Sequence, residues 1–425
     1  MVPAGRAPPG DAAPGEVPVQ MVTAVQPRFT PIEVLDDLWW IGLVALGVSL
    51  VLTPVVRLIA YRTKIVDRPD DLLKPHGRPI AYLGGLAMCV GLLAGLAAYL
   101  AVLPDAGAEW SALAGSLSRG DLRALQDHVI WKTLAFAVAS VLITLVGLAD
   151  DLCDIRPRMK VYGQVGAAVV LLFGGIGHTL VTVFASSLRL PNPPMWIGFP
   201  VSCAVCVMMV VATCNATNLL DGLDGLCGGV TGIVALGFLA LAVSLAQWGR
   251  LGYTDHLRVA ICLAMAGGVL GFLPYNIPPA SIFMGDAGSM LLGFFVATMM
   301  VLFCAEGTGR WLVASVAVFA LPILDTALAV VRRLLAGRSI FAGDRSHLYD
   351  QLVDRGMSVK QVVVLFYILS VLAAVIGVSA AVWLRARYAV ALYAVSLVVI
   401  WIVFHKKGMI RPDKAPPDPG IDATS

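Results

Sequence analysis

The chain has 425 residues, of which 59% are hydrophobic and only 13% are charged, and its mean hydropathy is +0.85. Soluble domains carry about 25% charged residues, so this composition excludes a soluble globular protein and indicates an integral membrane protein. The net charge of +3 is too small to suggest a nucleic-acid partner.

Two polar tails flank a long apolar region. Residues 1–37 are rich in Pro, Ala and Gly, and they lack the basic start and apolar core of a signal peptide. The tail at 406–425 is polar and rich in Pro. We expect both tails to be disordered and residues 38–405 to form one multi-span domain.

Eleven apolar stretches lie between the tails. Each is long enough to cross a bilayer, since a span needs roughly 20 apolar residues. We therefore predict an all-α integral membrane protein with about eleven transmembrane helices. The predicted spans are 39–61, 80–103, 129–149, 161–184, 195–214, 226–247, 258–277, 288–305, 311–331, 361–383 and 388–404.

The positions of the basic residues predict the orientation. The loops after the first, third and ninth spans, together with the C-terminal tail, hold 18 of the 30 Lys and Arg residues. Cytoplasmic loops carry the excess of basic residues, which predicts an external N-terminus and a cytoplasmic C-terminus. Three polar, acidic clusters, at the ends of the third, fifth and seventh spans, then share the cytoplasmic face.

The first cluster is the carboxylate pair Asp150-Asp151, which follows Gly147 at the end of the third span. Adjacent carboxylates repel each other unless a cation or a shared proton intervenes. The pair suits either a catalytic site or a solvated helix cap, and its sequence does not decide between them.

The second cluster, residues 215–226, contains two amides and two carboxylates. A helix would place Asp221 and Asp224 on one face, because they are three residues apart. The amides of Asn215 and Asn218 can donate to a phosphate or a base. This density of polar groups predicts a ligand site rather than a simple turn.

The third cluster, residues 283–289, places Asp286 between Gly285 and Gly288. A carboxylate in a Gly-rich turn can hold Mg²⁺, which takes one or two protein carboxylates plus substrate phosphates. Phe283 is either a flat platform for a base or a packed interfacial ring.

Two loops add basic groups that suit phosphate oxygens. Lys74 and His76 precede the second span, and Arg338, Arg345 and His347 follow the ninth. Together with the acidic clusters, they indicate phosphoryl chemistry on a membrane-embedded substrate. The alternative class is a transporter or channel, but such a protein should place its polar groups near mid-membrane, often in broken helices.

From about Asp67 to Gln351 the chain resembles the polyprenyl-phosphate N-acetylhexosamine-1-phosphate transferases. The resemblance is carried by residues 147–151, 215–226 and 283–289. It implies that an oxygen of a polyprenyl phosphate attacks the β-phosphate of a UDP-activated amino sugar and that UMP leaves.

The resemblance also implies roles for single residues. Asp286 and Asn218 would hold Mg²⁺, or Mn²⁺ in its place. Asp150 would act as a base or orient the lipid phosphate, with Asp151 as a close catalytic partner and His347 as a third catalytic candidate. The nucleotide pocket would include Asn215, Asn218, Asp221 and Asp224, and the ring of Phe283 would stack on uracil. The residues that would contact phosphate groups are Lys160, His347, Lys74, His76, Arg338 and Arg345.

Two departures favour the WecA and TagO branch over the MraY branch. MraY has a lysine where this chain has Asp154, and three consecutive histidines in the loop where this chain has His347-Leu348-Tyr349-Asp350. We therefore predict a simple UDP-N-acetylhexosamine donor, with UDP-N-acetylglucosamine as the first candidate, and undecaprenyl phosphate as the acceptor. The product would start the synthesis of a lipid-linked surface polysaccharide.

The resemblance places the protein in the plasma membrane, the inner membrane of the cell, with its active site facing the cytoplasm. Its other partners would be the lipid bilayer and, as one candidate assembly, a second copy in a homodimer. Phospho-N-acetylmuramoyl-pentapeptide transfer is the alternative activity.

Overall fold

The computed structural model describes residues 27–67, 79–103, 106–187, 189–248, 251–305, 309–335, 337, 347–384 and 386–406. These residues are 82% helical and the long helices are strongly apolar, which confirms the predicted all-α integral membrane protein. The helices are α1 (Pro31–Leu35), α2 (Trp39–Thr63), α3 (Gly84–Ala101), α4 (Ala106–Arg119), α5 (Leu122–Asp127), α6 (Val129–Cys153), α7 (Pro157–Phe173), α8 (Leu180–Ser187), α9 (Met195–Leu220), α10 (Leu226–Trp248), α11 (Tyr253–Asn276), α12 (Gly285–Cys304), α13 (Gly309–Val318), α14 (Ala320–Leu335), α15 (Leu348–Asp354), α16 (Val359–Trp383) and α17 (Ala386–Lys406).

Eight of the described helices are long and apolar enough to cross a membrane, namely α2, α3, α6, α9, α10, α11, α12 and α16. A ninth span results if α13 and α14 are counted together. The two other predicted spans correspond to α7, which has only 17 residues, and to α17. The span number of eleven and the orientation of the termini stay predictions.

The predicted ninth span is not one straight helix. Its two halves, α13 and α14, are bent by 72° relative to each other. Pro322, in the first turn of α14, has no N–H to donate to the carbonyl of Val318, so one of the hydrogen bonds that would join the two halves cannot form. The bend brings α14 against α9 and α16.

Helix α12 lies at the centre of the fold. It packs against α3, α6, α9 and α13, and every residue of α12 except Asp286 is buried. The partly exposed carboxylate of Asp286 therefore projects from the first turn of a helix that the rest of the protein encloses.

A short β-ribbon, which the sequence analysis did not predict, connects two parts of this centre. Strand β1 (Val66–Asp67) pairs antiparallel with β2 (Ile80–Ala81). Ala81 also forms a parallel bridge with Ile282, and its carbonyl accepts a hydrogen bond of 2.8 Å from the backbone N–H of Phe283. The ribbon thereby holds the chain before α3 against the chain before α12.

The described part of the predicted N-terminal tail is ordered by local contacts. Residues 27–37 include α1, whose N-terminus carries a capping box formed by Thr30 and Glu33. The backbone N–H of Arg28 donates to the carbonyl of Gln247 at 2.8 Å, at the end of α10. The predicted tail therefore contains an ordered helix, and the domain boundaries stay predictions.

Candidate active site

A cavity of about 990 Å³ lies where the ends of several helices meet. All three polar, acidic clusters contribute to its wall, as the order of the predicted spans requires. The predicted site residues that line it are Asp150, Asp151, Asn218, Asp221, Asp224, Phe283 and Asp286.

An ion-pair triad joins α6, α7 and α12 at this cavity. The Nζ atom of Lys160, in the first turn of α7, lies 2.6 Å from Oδ2 of Asp150 and 2.6 Å from Oδ2 of Asp286. One ammonium group thus neutralises parts of two carboxylates. Lys160 was predicted to contact phosphate; the structure pairs it with the candidate catalytic residue Asp150 and the candidate metal ligand Asp286.

Close helix packing makes this convergence feasible. Gly147 lies one turn before Asp150, and a Cβ atom on it would lie 2.4 Å from the backbone N of Ala287. Only a residue without a side chain allows the end of α6 to approach the start of α12 so closely. Gly147 therefore sets the distance between Asp150 and Asp286.

Asp151 binds the start of α12. Its two carboxylate oxygens accept hydrogen bonds from the backbone N–H groups of Asp286, at 2.8 Å, and Ala287, at 3.1 Å. These are N–H groups that a helix start leaves without intrahelical partners, and a carboxylate there is also favoured by the helix dipole. Gly285 permits the contact through its φ of 66° and its lack of a side chain. The structure thus gives Asp151 a positioning role.

Asp221 and Asp224 both face the cavity, but they do not share a helical face. Helix α9 ends at Leu220, and residues 221–225 form a turn. The spacing argument was wrong on this point because the chain leaves the helix at Asp221, whose φ and ψ are −83° and 46°. Asp224 accepts a hydrogen bond of 2.9 Å from the backbone N–H of Ala280.

The electrostatics of this turn are strongly acidic. Desolvation holds the pKa of Asp221 well above its ordinary value, and the charges of Asp286, Asp151 and Asp224 add to the rise. Clustered carboxylates of this kind favour either bound protons or a bound cation.

The two predicted amides behave differently. Asn218 faces the cavity and donates from Nδ2 to Oγ of Ser289 at 3.1 Å. Asn215 lies nearly one helical turn earlier and donates to Oε1 of Gln164, on α7, at 3.1 Å. Asn215 is not among the described residues that line the cavity, so the structure favours a helix–helix contact over its predicted role in the nucleotide pocket.

An aromatic pair forms one wall of the cavity. The rings of Phe283 and Tyr82 meet edge to face, with their centroids 5.9 Å apart, and both residues line the cavity. Tyr82 is not among the site residues predicted from the sequence. Its position two residues before the glycine pair that opens α3 was the available signal. Burial raises the pKa of the Tyr82 phenol above its ordinary value, with the charge of Asp67 as the next cause.

His347 is buried, and it is not among the described residues that line the cavity. Its ring is 4% exposed, and its Nδ1 atom lies 2.8 Å from Oδ2 of Asp325. The other oxygen of Asp325 accepts a hydrogen bond of 2.6 Å from the backbone N–H of Leu348. The bent span thus fixes the start of α15, and the sequence analysis had given Asp325 no part in the site.

The contact continues from α15 to α9. The Tyr349 ring stacks on His347, and its hydroxyl donates to the carbonyl of Leu219 at 2.9 Å. His347 is therefore linked to the last turn of α9 through Tyr349. The remaining predicted phosphate contacts, Lys74, His76, Arg338 and Arg345, lie outside the described residues.

The donor set near Asp286 suits a hard divalent cation. Among the described residues, no group of three or more His, Cys, Asp or Glu side chains forms a ready metal cluster. However, Mg²⁺ needs only one or two protein carboxylates when substrate phosphates supply further oxygens. The Oδ1 atom of Asp150 is buried without a hydrogen-bond partner, and such an unsatisfied anionic oxygen beside Asp286 fits an additional cation.

Comparisons with known proteins identify relatives over most of the chain. Residues 133–304, which include most of α6 and all of α7, α9 and α12, match glycosyl transferase family 4. The chain is 31% identical to the decaprenyl-phosphate N-acetylglucosaminephosphotransferase of Mycobacterium leprae, over 79% of this chain and 81% of that protein. It is 28% identical to a probable undecaprenyl-phosphate N-acetylglucosaminyl 1-phosphate transferase of Bacillus subtilis, over 80% of this chain and 85% of that protein.

Both branches of the family appear among the relatives. The chain is also 30% identical to the phospho-N-acetylmuramoyl-pentapeptide-transferase of Desulforudis audaxviator, over 79% of this chain and 96% of that protein. The resemblance inferred from the three motifs is confirmed. This chain belongs to glycosyl transferase family 4, the family of the polyprenyl-phosphate N-acetylhexosamine-1-phosphate transferases.

Proposed function

We propose that this protein transfers N-acetylhexosamine 1-phosphate from a UDP-sugar, with UDP-N-acetylglucosamine as the donor, to undecaprenyl phosphate. An oxygen of the lipid phosphate attacks the β-phosphorus of the donor, the bond to the α-phosphate oxygen breaks, and UMP leaves. The observation that supports this most directly is the convergence of Asp150 and Asp286 on one cationic group at the wall of a large polar cavity. The names of the relatives agree with this activity.

Positioning is the main task of such a site. Both substrates are anionic, and their productive alignment removes an entropic cost from the reaction. Asp286 and Asn218 are the residues that would hold Mg²⁺. When bound, the ion would screen the negative charge of the diphosphate. Asp150 would orient the lipid phosphate, which needs little help to lose its proton because the second pKa of a phosphate monoester is about 6.

The other residues support these two carboxylates. Asp151 holds the first turn of α12 and thereby the position of Asp286. Phe283 offers a flat face for uracil on the wall that it shares with Tyr82. Asp221 and Asp224 line the part of the cavity formed by the turn after α9, where ribose and base hydroxyl or N–H groups would find acceptors.

The donor choice rests on two positions. Asp154, which lines the cavity, stands where the muramyl-pentapeptide branch has a lysine, and the loop that starts α15 carries a single histidine at 347–350. A peptide-bearing sugar needs contacts that these residues do not provide. Sequence identity does not separate the branches, because relatives of both kinds reach about the same value.

The test is a reconstituted assay with the purified chain, undecaprenyl phosphate, Mg²⁺ and a panel of UDP-sugars. The release of UMP and the formation of the lipid-linked sugar are measured. We expect turnover with UDP-N-acetylglucosamine and little with UDP-N-acetylmuramyl-pentapeptide in direct competition. Preferential transfer of the muramyl peptide would show that the chain belongs to the muramyl-pentapeptide branch. A bound UDP-sugar without turnover would favour a transporter.

A pair of matched variants tests the acidic site in the same assay. Asp286→Asn should remove most Mg²⁺-dependent UMP release while the protein stays folded. Asp354→Asn makes the same chemical change at an exposed position at the end of α15 and should keep the wild-type rate. Near-normal turnover by Asp286→Asn would contradict the assignment.

A further inference from the structure

Lys160 occupies a position that a metal ion would be expected to occupy. Its ammonium group lies 2.6 Å from one oxygen of Asp150 and 2.6 Å from one oxygen of Asp286. These distances are at the short end for charge-assisted hydrogen bonds, which are about twice as strong as neutral ones. An internal cation therefore already binds Asp286, the carboxylate to which the proposed function assigns the divalent ion, and links it to Asp150.

One lysine does not satisfy the acids completely. The second oxygen of Asp150, Oδ1, is buried without a hydrogen-bond partner. The single positive charge of Lys160 cannot neutralise the two carboxylates of Asp150 and Asp286. This end of the cavity therefore attracts cations, although Oδ2 of Asp286 is held by the lysine.

A divalent ion and an ammonium group cannot share these oxygens without mutual repulsion, which is strong at a separation of a few ångströms. The lysine side chain is a flexible stem that carries a compact charge, and the Lys160 side chain is 27% exposed. It can therefore swing away without moving the backbone. The released ammonium group can form an ion pair with the diphosphate of the donor.

We propose that Lys160 acts as a resident counter-cation that is exchanged for the divalent ion when the donor binds. Without donor, Lys160 holds Asp150 and Asp286 together and keeps metal affinity low. The donor diphosphate takes over the ammonium group, and the freed oxygen of Asp286 becomes available to the ion. Metal and nucleotide-sugar then raise each other's affinity by the same factor, as thermodynamic linkage requires. This inference rests on the proposed function for the identity of the donor. The competition between Lys160 and the divalent ion for Asp286 does not depend on which donor binds.

The first experiment measures Mn²⁺ binding to the substrate-free, detergent-solubilised protein by the electron paramagnetic resonance signal of the free ion. Lys160→Met should bind Mn²⁺ about tenfold more tightly than wild type. A tenfold change in affinity is about the contribution of one charge-assisted hydrogen bond, which the ion no longer has to displace in this variant. Lys160→Gln is a second variant of the same kind. Lys160→Arg keeps the charge and should keep the weak wild-type affinity.

A matched control separates exchange from general electrostatics. Arg158→Met removes one positive charge from the same turn of α7 at an exposed position, and it should change Mn²⁺ affinity by less than about threefold, because exposed charges are screened. Adding Asp286→Asn to Lys160→Met should abolish the gain. An equal gain in Arg158→Met, or no gain in either neutral Lys160 variant, would overturn the proposal.

The second experiment tests the linkage. Saturating UDP-N-acetylglucosamine, with no lipid present, should raise the Mn²⁺ affinity of wild type by a larger factor than that of Lys160→Met. Equal factors would contradict the exchange. The first experiment contains no substrate, so a chain that gains Mn²⁺ affinity but transfers no sugar would refute the proposed function alone, and an active chain without the gain would refute this inference alone.

Discussion

Replacing Gly285 by alanine tests whether Asp151 fixes the start of α12. Gly285 has a φ of 66°, and a Cβ atom on it would lie 2.4 Å from Oδ2 of Asp151. The new methyl group and the carboxylate cannot occupy these positions together. We expect Asp151 to move away, so that the N–H groups of Asp286 and Ala287 lose their acceptors.

The cost has two parts. A non-glycine residue in the left-handed region costs about 1–2 kcal/mol, and hydrogen bonds to a charged group contribute about 1.5–3 kcal/mol each. Because the carboxylate lies at the wall of an open cavity, we take the lower ends of these ranges. Gly285→Ala should then lower the free energy of unfolding by about 4 kcal/mol, and UMP release should fall because Asp286 loses its fixed position.

Gly120 provides a matched control. Its φ is 65°, almost the same as that of Gly285, but a Cβ atom on it would meet nothing within 4 Å. Gly120→Ala should therefore cost only the backbone part, about 1–2 kcal/mol. Thermal unfolding in one detergent, followed by the fluorescence of the nine tryptophans, compares the two variants. Equal shifts of the midpoint would refute the argument that the Asp151 contact stabilises α12.

Three further predictions concern the surroundings of the site. Asp325→Asn should lower the free energy of unfolding by about 1–3 kcal/mol, because His347 loses its buried charged partner, and an unchanged thermal midpoint would contradict this. Phe283→Ala should weaken UDP-sugar binding by about 1–3 kcal/mol, the usual value of base stacking, and leave the affinity for lipid phosphate unchanged. If calorimetric titration shows the same nucleotide affinity as wild type, Phe283 only packs against its neighbours. Single cysteines near Gly120 and near Asp350, in a background without other reactive cysteines, should be labelled from opposite sides of the membrane, and labelling from the same side would show that the span count is wrong.

The sequence predicted where the chemistry lies better than how it is arranged. Hydropathy and span order were sufficient to bring Asp150 and Asp286 to one end of the bundle. They do not fix the rotation of a helix about its axis, so they could not show that Asn215 faces α7 while Asn218 faces the cavity. The end of α9 at Leu220 also depends on tertiary packing, because the i, i+3 spacing of the acids equally allowed one more helical turn.

The missed contacts are those between residues far apart in the chain. The pairs His347–Asp325 and Tyr82–Phe283 join segments that no local pattern connects. The β-ribbon has strands of only two residues each, which is too short for any alternation of apolar and polar residues to reveal it. Pro322 was a visible signal for the bend in the ninth span, but proline in a membrane helix can also be tolerated without such a break.

The enclosure of α12 has a consequence for substitutions that lie far from the site. This helix is about 30 Å long, with Asp286 in its first turn and Phe303 near its other end, packed on Phe238. A packed interior transmits strain and does not absorb it, and α12 has no lipid-facing side on which extra volume could be accommodated. We therefore expect a change of side-chain volume at Phe303 to alter the packing of α12 and, through it, the position of Asp286. Variants that reduce turnover should accordingly be found along the whole length of α12, including positions at the end of the helix opposite to the cavity.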